Sequence, residues 1–145
     1  GYRDPSLWGQ ALARQFPVPS DLSVLSRVPG ELLESYLLFA DFVRLSADGV
    51  WEKRAMLAKV YRFAEQRQQQ GDVLFPESLS VVNYGNALLY LENQGVLKID
   101  KEGDKTQVTR VGEDTALSRL IEQLSEFRDL MQEREETFLR LPLPA

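Results

Sequence analysis

The stretch "ESLSVVNYGNALLYLENQGVLKID", residues 77–100, has the pattern of a helix that runs into a short strand. Its apolar and aromatic side chains recur at the spacing of one helix face: Val81, Tyr84, Leu88 and Leu91. Gly95 follows the last turn, at the position where a residue with positive φ commonly ends a helix. The alternating "VLKID" after it is typical of a strand. The stretch therefore predicts a helix from about Ser78 or Ser80 to Gln94, followed by a strand.

A second strand is predicted close behind the first. The stretch "TQVTRV", residues 106–111, also alternates, and "KEGDK" at residues 101–105 joins the two. Gly103 in that connection permits the positive φ of a tight turn. We expect a short β-hairpin directly after the helix.

Two further helices are predicted upstream. Residues 31–46 carry apolar side chains on nearly every side, which is typical of a buried helix. A second helix of about 20 residues is predicted from Val50 to the glutamine-rich stretch at residues 66–70, with Trp51 and Met56 facing inward. Three helices followed by a hairpin is the order of elements in a winged helix.

A long amphipathic helix is predicted from Thr115 to Arg140. Its apolar residues alternate by three and four positions, with Arg134 as the interruption: Leu117, Leu120, Leu124, Phe127, Met131 and Phe138. Because a free helix of this kind would leave an apolar stripe in water, we expect it to dock on its own domain or on another subunit. The predicted docking face carries Leu117, Leu124, Phe127 and Met131. The predicted fold class is therefore mainly α: a winged-helix-like three-helix core, a short β-hairpin wing and a long C-terminal amphipathic helix.

The chain is predicted to have three parts. Residues 1–29 are a Pro-rich N-terminal arm, residues 30–112 the winged-helix-like domain, and residues 113–145 the C-terminal amphipathic helix. In the arm, Asp4 followed by Pro5 is a typical helix start, and apolar residues recur at helical spacing after it: Leu7, Trp8, Ala11, Leu12 and Phe16. A start without Met and an end at "LPLPA" indicate a piece of a longer protein.

Two missing residue types restrict the chemistry that the chain can perform. It contains no cysteine and no histidine, which excludes thiolate sites, His-ligated zinc, Cys nucleophiles and every His general base. Carboxylate, Lys or Tyr chemistry remains as the only enzymatic route, and an isolated enzyme is disfavoured. We predict no catalytic residue, no metal site and no cofactor. Apolar runs also stay below the roughly 18 residues that a membrane-spanning helix needs.

Two carboxylates stand on the narrow polar strip of the first helix. Glu34 and Asp41 lie two turns apart, about 10 Å along the axis, a separation that acid-base chemistry or a metal could use. No third ligand, glycine-rich loop or basic partner accompanies them. The expected role is a solvated strip, together with Glu31.

Charge argues against nucleic-acid binding. The net charge is −5 with a pI near 4.8, and no Lys or Arg occurs between Arg67 and Lys98, where a recognition helix needs cations. The exposed face of that helix is instead expected to present a solvated polar surface or a protein contact: Asn83, Asn86, Tyr90 and Asn93.

The second helix is the most basic element, and Lys59 and Arg62 share one of its faces. These two cations could meet a phosphate or an acidic lipid, or could pair with nearby glutamates. The predicted interaction surface consists of these cations and the docking face of the C-terminal helix: Lys59, Arg62, Leu117, Leu124, Phe127 and Met131.

Residues 29–126 resemble the region downstream of the catalytic domain in glycerol-3-phosphate and dihydroxyacetone-phosphate acyltransferases. The resemblance rests on "PGELLESYLLFADFV" and on the opening stretch, in which "NAL" at residues 86–88 and "GVLK" at residues 95–98 are the most specific parts. The family transfers an acyl group to the sn-1 hydroxyl of glycerol 3-phosphate or its ketone analogue, and its catalytic signature is His-x4-Asp. A chain without histidine cannot contain this signature. The resemblance therefore implies a non-catalytic C-terminal accessory domain from a membrane-associated enzyme of glycerolipid biosynthesis.

The resemblance also sets the expected partners. The domain would pack on the catalytic domain of the parent protein or on another protein subunit, or it would form a homo-oligomer, with any membrane association arising through the parent protein. The alternative is a winged-helix protein-interaction module of a multisubunit scaffold, which would be cytoplasmic. Nucleic-acid binding is a distant third hypothesis.

Overall fold

The computed structural model describes residues 28–140, with side chains up to residue 137. Within that range it contains these elements: α1 (Gly30–Leu45), β1 (Val50–Glu52), α2 (Lys53–Gln69), a 3-10 turn (Pro76–Ser78), α3 (Val81–Asn93), β2 (Leu97–Glu102), β3 (Lys105–Arg110) and α4 (Asp114–Arg140). The mainly α fold class is confirmed. The Pro-rich arm and its short helix, predicted over residues 1–29, lie outside the described residues except for Val28 and Pro29.

The ends of α3 agree with the sequence prediction. The Ser80 side chain caps the first turn by accepting a hydrogen bond from the Asn83 N–H at 3.2 Å. At the other end Gly95 has a φ of 76°, and the Val96 N–H donates to the Leu91 carbonyl at 3.1 Å, which closes the helix. Gly103 in the hairpin turn also has positive φ, as predicted.

The second helix begins later than predicted, because Val50–Glu52 is a strand. This strand, β1, pairs antiparallel with β3, and Trp51 lies opposite Val108. The sheet order is β1-β3-β2. Val and Trp favour extended backbone, and the Glu52 carboxylate then caps α2 by accepting from the Ala55 N–H at 2.9 Å. The helix prediction was wrong for these three positions.

The order of elements, three helices followed by a hairpin, is the predicted one. The added strand β1 sits between α1 and α2 and completes a small antiparallel sheet beside the helices. The winged-helix classification itself stays a prediction.

Helix α1 lies at the centre of the core. Leu33, Phe39 and Val43 are fully buried on it, and α2, α3 and α4 each contribute buried apolar side chains around them. No helix in the described part of the chain is both long enough and apolar enough to cross a bilayer.

Helix α4 runs antiparallel to α1. At one end, Arg110 just before α4 donates to the Val43 carbonyl near the end of α1 at 3.2 Å. At the other end, Arg128 meets Glu34 in the first half of α1. Because α4 and α1 share one apolar core, the core continues across the predicted boundary at residue 113.

Candidate functional site

The most polar feature of the interior is the Glu34 carboxylate, whose side chain is fully buried. Its Oε1 accepts hydrogen bonds from the Phe75 N–H at 2.8 Å and the Ser78 hydroxyl at 2.9 Å. Its Oε2 accepts from the Leu74 N–H at 2.9 Å and from Arg128 Nη1 at 3.3 Å. The prediction of a solvated strip was therefore wrong at Glu34.

This arrangement is structural rather than chemical. A carboxylate offers about four lone-pair directions, and four donors fill them at Glu34. No acceptor site remains to take a proton from a substrate. The carboxylate instead fastens the loop before α3 and the middle of α4 to α1. We call Glu34, its three loop donors and Arg128 the Glu34 latch.

Asp41 does not join Glu34 in a shared site. Its carboxylate pairs with Arg44 on the same helix at 2.8 Å, and its side chain stays partly exposed. Residues 28–137 contain no group of three carboxylates that could hold a metal ion. The two carboxylates of the predicted strip thus have separate structural roles.

Most of the side chains predicted on the exposed face of α3 are turned inward. Asn86 and Tyr90 are buried, and the Tyr90 ring stacks on Tyr36 at a centroid distance of 4.7 Å. Asn83 donates through Nδ2 to the Ser35 hydroxyl of α1 at 3.2 Å. The prediction was therefore wrong for Asn86 and Tyr90, which α1 helps to cover, whereas Asn93 is exposed as predicted.

The outward side of α3 is apolar instead. It carries side chains spaced by three and four positions: Val82, Gly85 and Leu89. Val82 is 48% exposed, and the neighbouring Val81 is 51% exposed. We call this surface the outer α3 face. It has no cation with which to neutralise phosphates.

Three buried tyrosines have a raised pKa. Burial raises the pKa of Tyr36, Tyr84 and Tyr90 well above the ordinary value of 10.0. The hydroxyls of Tyr84 and Tyr90 have no hydrogen-bond partner among the described residues. Because burial raises their pKa, all three hydroxyls stay protonated near neutral pH.

The two predicted cations of α2 lie on its surface. Lys59 Nζ is 3.9 Å from the Asp48 carboxylate, and both side chains are more than half exposed. Arg62 is exposed and forms no ion pair with another residue of the described range. The pairing at Lys59 is long and solvated, so it contributes little to stability.

The predicted apolar docking face of α4 is used within the chain. Leu117 and Leu124 are buried in the core, and Phe127 and Met131 pack against it while partly exposed. From Glu133 to Thr137 every side chain is exposed, including Arg134. Of the two dockings expected for α4, the structure therefore has the intramolecular one.

The chain is thus a packed helical module with a small sheet, in which all acceptor positions of the buried Glu34 carboxylate are used by the fold. A family model described as the glycerol-3-phosphate acyltransferase C-terminal region matches residues 9–100 of the chain. The chain belongs to this family. The match covers the arm from residue 9, the three-helix core and most of β2, and it ends before β3 and α4. No curated protein matches the chain.

Proposed function

We propose that the chain is a non-catalytic accessory region of a membrane-associated glycerol-3-phosphate acyltransferase, which packs on the catalytic domain or mediates assembly. The observation that carries the proposal is the saturation of Glu34, the one fully buried carboxylate in the described range. All four of its acceptor positions serve the fold. A family member whose buried acid is committed to structure is suited to support a catalytic domain rather than to act as one.

The contact surface in this proposal is the exposed side of α2. Lys59 and Arg62 are one helical turn apart and both face solvent, so they can approach a negatively charged surface together. Neither cation is needed by the fold, since Lys59 has only its distant contact with Asp48. An acidic patch on the catalytic domain is the partner that these charges fit.

The test is complementation in trans. A glycerol-3-phosphate acyltransferase that lacks its own C-terminal region is assayed for acyl transfer from acyl-CoA to glycerol 3-phosphate, with and without the purified chain. We expect the chain alone to be inactive and to raise the activity or thermal stability of the truncated enzyme. Turnover by the chain alone, above the background of a blank preparation, contradicts the non-catalytic role.

Two charge reversals test the contact surface. The double variant Lys59→Glu and Arg62→Glu is expected to lose the complementation, because it turns an attractive surface into a repulsive one. Lys98→Glu is the matched control, since Lys98 is 65% exposed on β2 and lies away from α2. Equal loss in both variants, or loss in neither, contradicts the assignment to α2.

The order of elements also supports a second candidate function: a winged-helix protein-interaction module of a multisubunit scaffold. The sheet order β1-β3-β2 beside three helices favours it. The complete reading frame separates the two candidates, because only the acyltransferase proposal requires a His-x4-Asp block upstream of this region.

Nucleic-acid binding is the third candidate, and the outer α3 face disfavours it. We expect duplex DNA to bind no tighter than about 100 μM at physiological salt, because no cation stands on that face. Fluorescence anisotropy with a labelled duplex measures this. Sub-micromolar, steeply salt-dependent binding would favour the third candidate over the first two.

A further inference from the structure

The outer α3 face is an apolar helix surface that the described segments leave partly exposed: Val82 is exposed, and Gly85 and Leu89 are half-buried. Single exposed apolar side chains are ordinary, but Val82 and Leu89 stand on one line with Gly85 between them. The other sides of α3 are buried against the core: Tyr84, Ala87, Leu88 and Leu91. At Gly85 an added Cβ would meet nothing within 4 Å, so another backbone can approach closely there.

The N-terminal arm carries a matching apolar stripe. Residues 4–16 begin with the helix-start pair Asp4-Pro5 and then place five apolar side chains at helical spacing: Leu7, Trp8, Ala11, Leu12 and Phe16. The family match begins at residue 9 and continues through α3 without a break. The arm from residue 9 onward and the outer α3 face therefore fall within one family match, and both carry apolar side chains at helical spacing.

The place where the arm joins the fold is close to the start of α3. A methyl group at Gly30, the first residue of α1, would lie 2.5 Å from the Phe75 ring. Further along α1 the Ser35 hydroxyl donates to the Ser78 carbonyl at 2.7 Å and accepts from Asn83 of α3. The first turns of α1 therefore run beside the segment that opens α3.

The connecting segment is long enough to place the stripe on α3. Residues 17–27 can span up to about 36 Å when extended. This span exceeds the whole length of α3, which is about 20 Å.

We propose that residues 4–16 form a helix that packs along the outer α3 face, with Gly85 at the point of closest approach. This contact adds the arm to the helical core and covers the exposed apolar side chains of the outer α3 face. The inference stands on the fold and the family match, and it does not depend on the proposed role as an accessory region.

The absence of native cysteine allows a direct test by disulfide trapping in the full 145-residue chain. Leu12→Cys is combined in turn with Val82→Cys and with Leu89→Cys, and each double variant is oxidised and run on a non-reducing gel. We expect an intramolecular disulfide in at least one pair, because a packed helix brings the Cβ atoms within bonding range. Leu12→Cys with Val50→Cys is the matched control, since Val50 is 55% exposed on the sheet.

Each outcome of the trapping decides the proposal. Rapid intramolecular trapping on α3 together with slow trapping at Val50 supports it. Equal rates for both partners show that the arm has no fixed position, and disulfide-linked dimers show that a second copy covers the face. Either of these results overturns the proposal.

Fluorescence gives a second readout that needs no cysteine. The chain has two tryptophans, and Trp51→Phe leaves Trp8 of the arm as the single reporter. We expect blue-shifted emission from a docked Trp8, and a red shift when Val82→Asp places a charge on the outer α3 face. Val50→Asp is the control and should leave the emission unchanged. Solvent-like emission before any change at Val82 contradicts the proposal.

Discussion

At the scale of single residues, Glu34 is the side chain on which most of the fold depends. It is fully buried and holds three donors from the loop before α3 and one from α4. A buried carboxylate without hydrogen-bond partners would be strongly destabilising. The loop before α3 and helix α4 must therefore be in place when Glu34 on α1 is buried. The Glu34 latch thereby couples α1 to two segments that are distant in the sequence.

We expect Glu34→Gln to lower the free energy of unfolding by about 3 kcal/mol or more, as when one partner of a buried ion pair is removed. The amide also replaces one of the two accepting oxygens with an NH2 donor, which then faces the N–H group of either Leu74 or Phe75. Arg128→Met should cost less, because Arg128 is 17% exposed and makes the longest of the four bonds. Urea unfolding followed by circular dichroism measures both.

Asp41→Asn is the control on the same helix. Its pair with Arg44 is partly exposed, so the expected loss is below about 1 kcal/mol. If Glu34→Gln and Asp41→Asn had equal effects, the latch would be no more than a surface ion pair.

The buried tyrosines make the fold sensitive to alkali. Because burial raises the pKa of Tyr36, Tyr84 and Tyr90 in the folded chain, the unfolded chain ionises first, near the ordinary value of 10.0. Stability is therefore fully present below about pH 10 and falls as the pH rises above it. We expect the midpoint of urea unfolding to fall steeply between about pH 9.5 and 11.

Tyr84→Phe tests the cause of this alkaline loss. The variant removes one ionisable group and also a buried hydroxyl without a partner, so stability at pH 7 should be unchanged or higher. Between pH 9.5 and 11, the slope of the free energy of unfolding against pH should correspond to about one proton fewer than in the unsubstituted chain. An unchanged slope would mean that other groups drive the alkaline transition.

At the scale of elements, the sequence predicts what local signals encode. Helix α3, its serine cap and the turn at Gly95 were predictable, because capping and positive φ depend on neighbouring residues. The same residues could not reveal that Asn86 and Tyr90 are buried, since the cover comes from α1, about fifty positions earlier in the chain. Strand β1 was missed for the same reason: its partner β3 lies much later in the chain.

Within α3 we expect two substitutions to destabilise for different reasons. Leu88→Ala should cost roughly 2 to 5 kcal/mol, because Leu88 is buried and its loss leaves a cavity. Gly95→Val should cost about 1 to 2 kcal/mol through backbone strain alone, since φ is 76° and no atom stands within 4 Å of an added Cβ. Thermal denaturation of each variant measures the effect.

Gly49→Val is the control for backbone strain. Gly49 also has open space around an added Cβ but no positive φ, so a branched side chain should be tolerated there. Melting of the Gly95 and Gly49 variants at the same temperature would argue against strain at the end of α3.

At the scale of the whole molecule, the core is closed by its last helix. Leu117, Leu120 and Leu124 of α4 are buried in the same cluster as the centre of α1. Their 3-4 spacing predicted docking, but spacing alone could not choose between the chain's own core and a partner. In the structure α4 docks on the chain's own core, and Arg110 and Arg128 form hydrogen bonds with α1 at two separate points.

We expect deletion of residues 115–145 to lower the melting temperature strongly or to produce an aggregating chain, because it uncovers one apolar side of α1. A milder form of the test is Leu124→Ala, which should cost about 2 to 5 kcal/mol. Leu130→Ala is the control, since Leu130 is 50% exposed on the same helix. A truncated chain that stays monomeric and equally stable would make α4 a tether rather than part of the core.

The sequence separation of Glu34 and Arg128 also affects folding during synthesis of the chain. Glu34 and Arg128 are separated by 94 positions, so α1 leaves the ribosome long before its final neighbour exists. At a synthesis rate of about 5 to 20 residues per second, one apolar side of α1 and a carboxylate without its arginine wait for about 5 to 20 s. During that interval the exposed apolar surface is prone to aggregation. One side of α1 therefore cannot be buried until α4 has been synthesised.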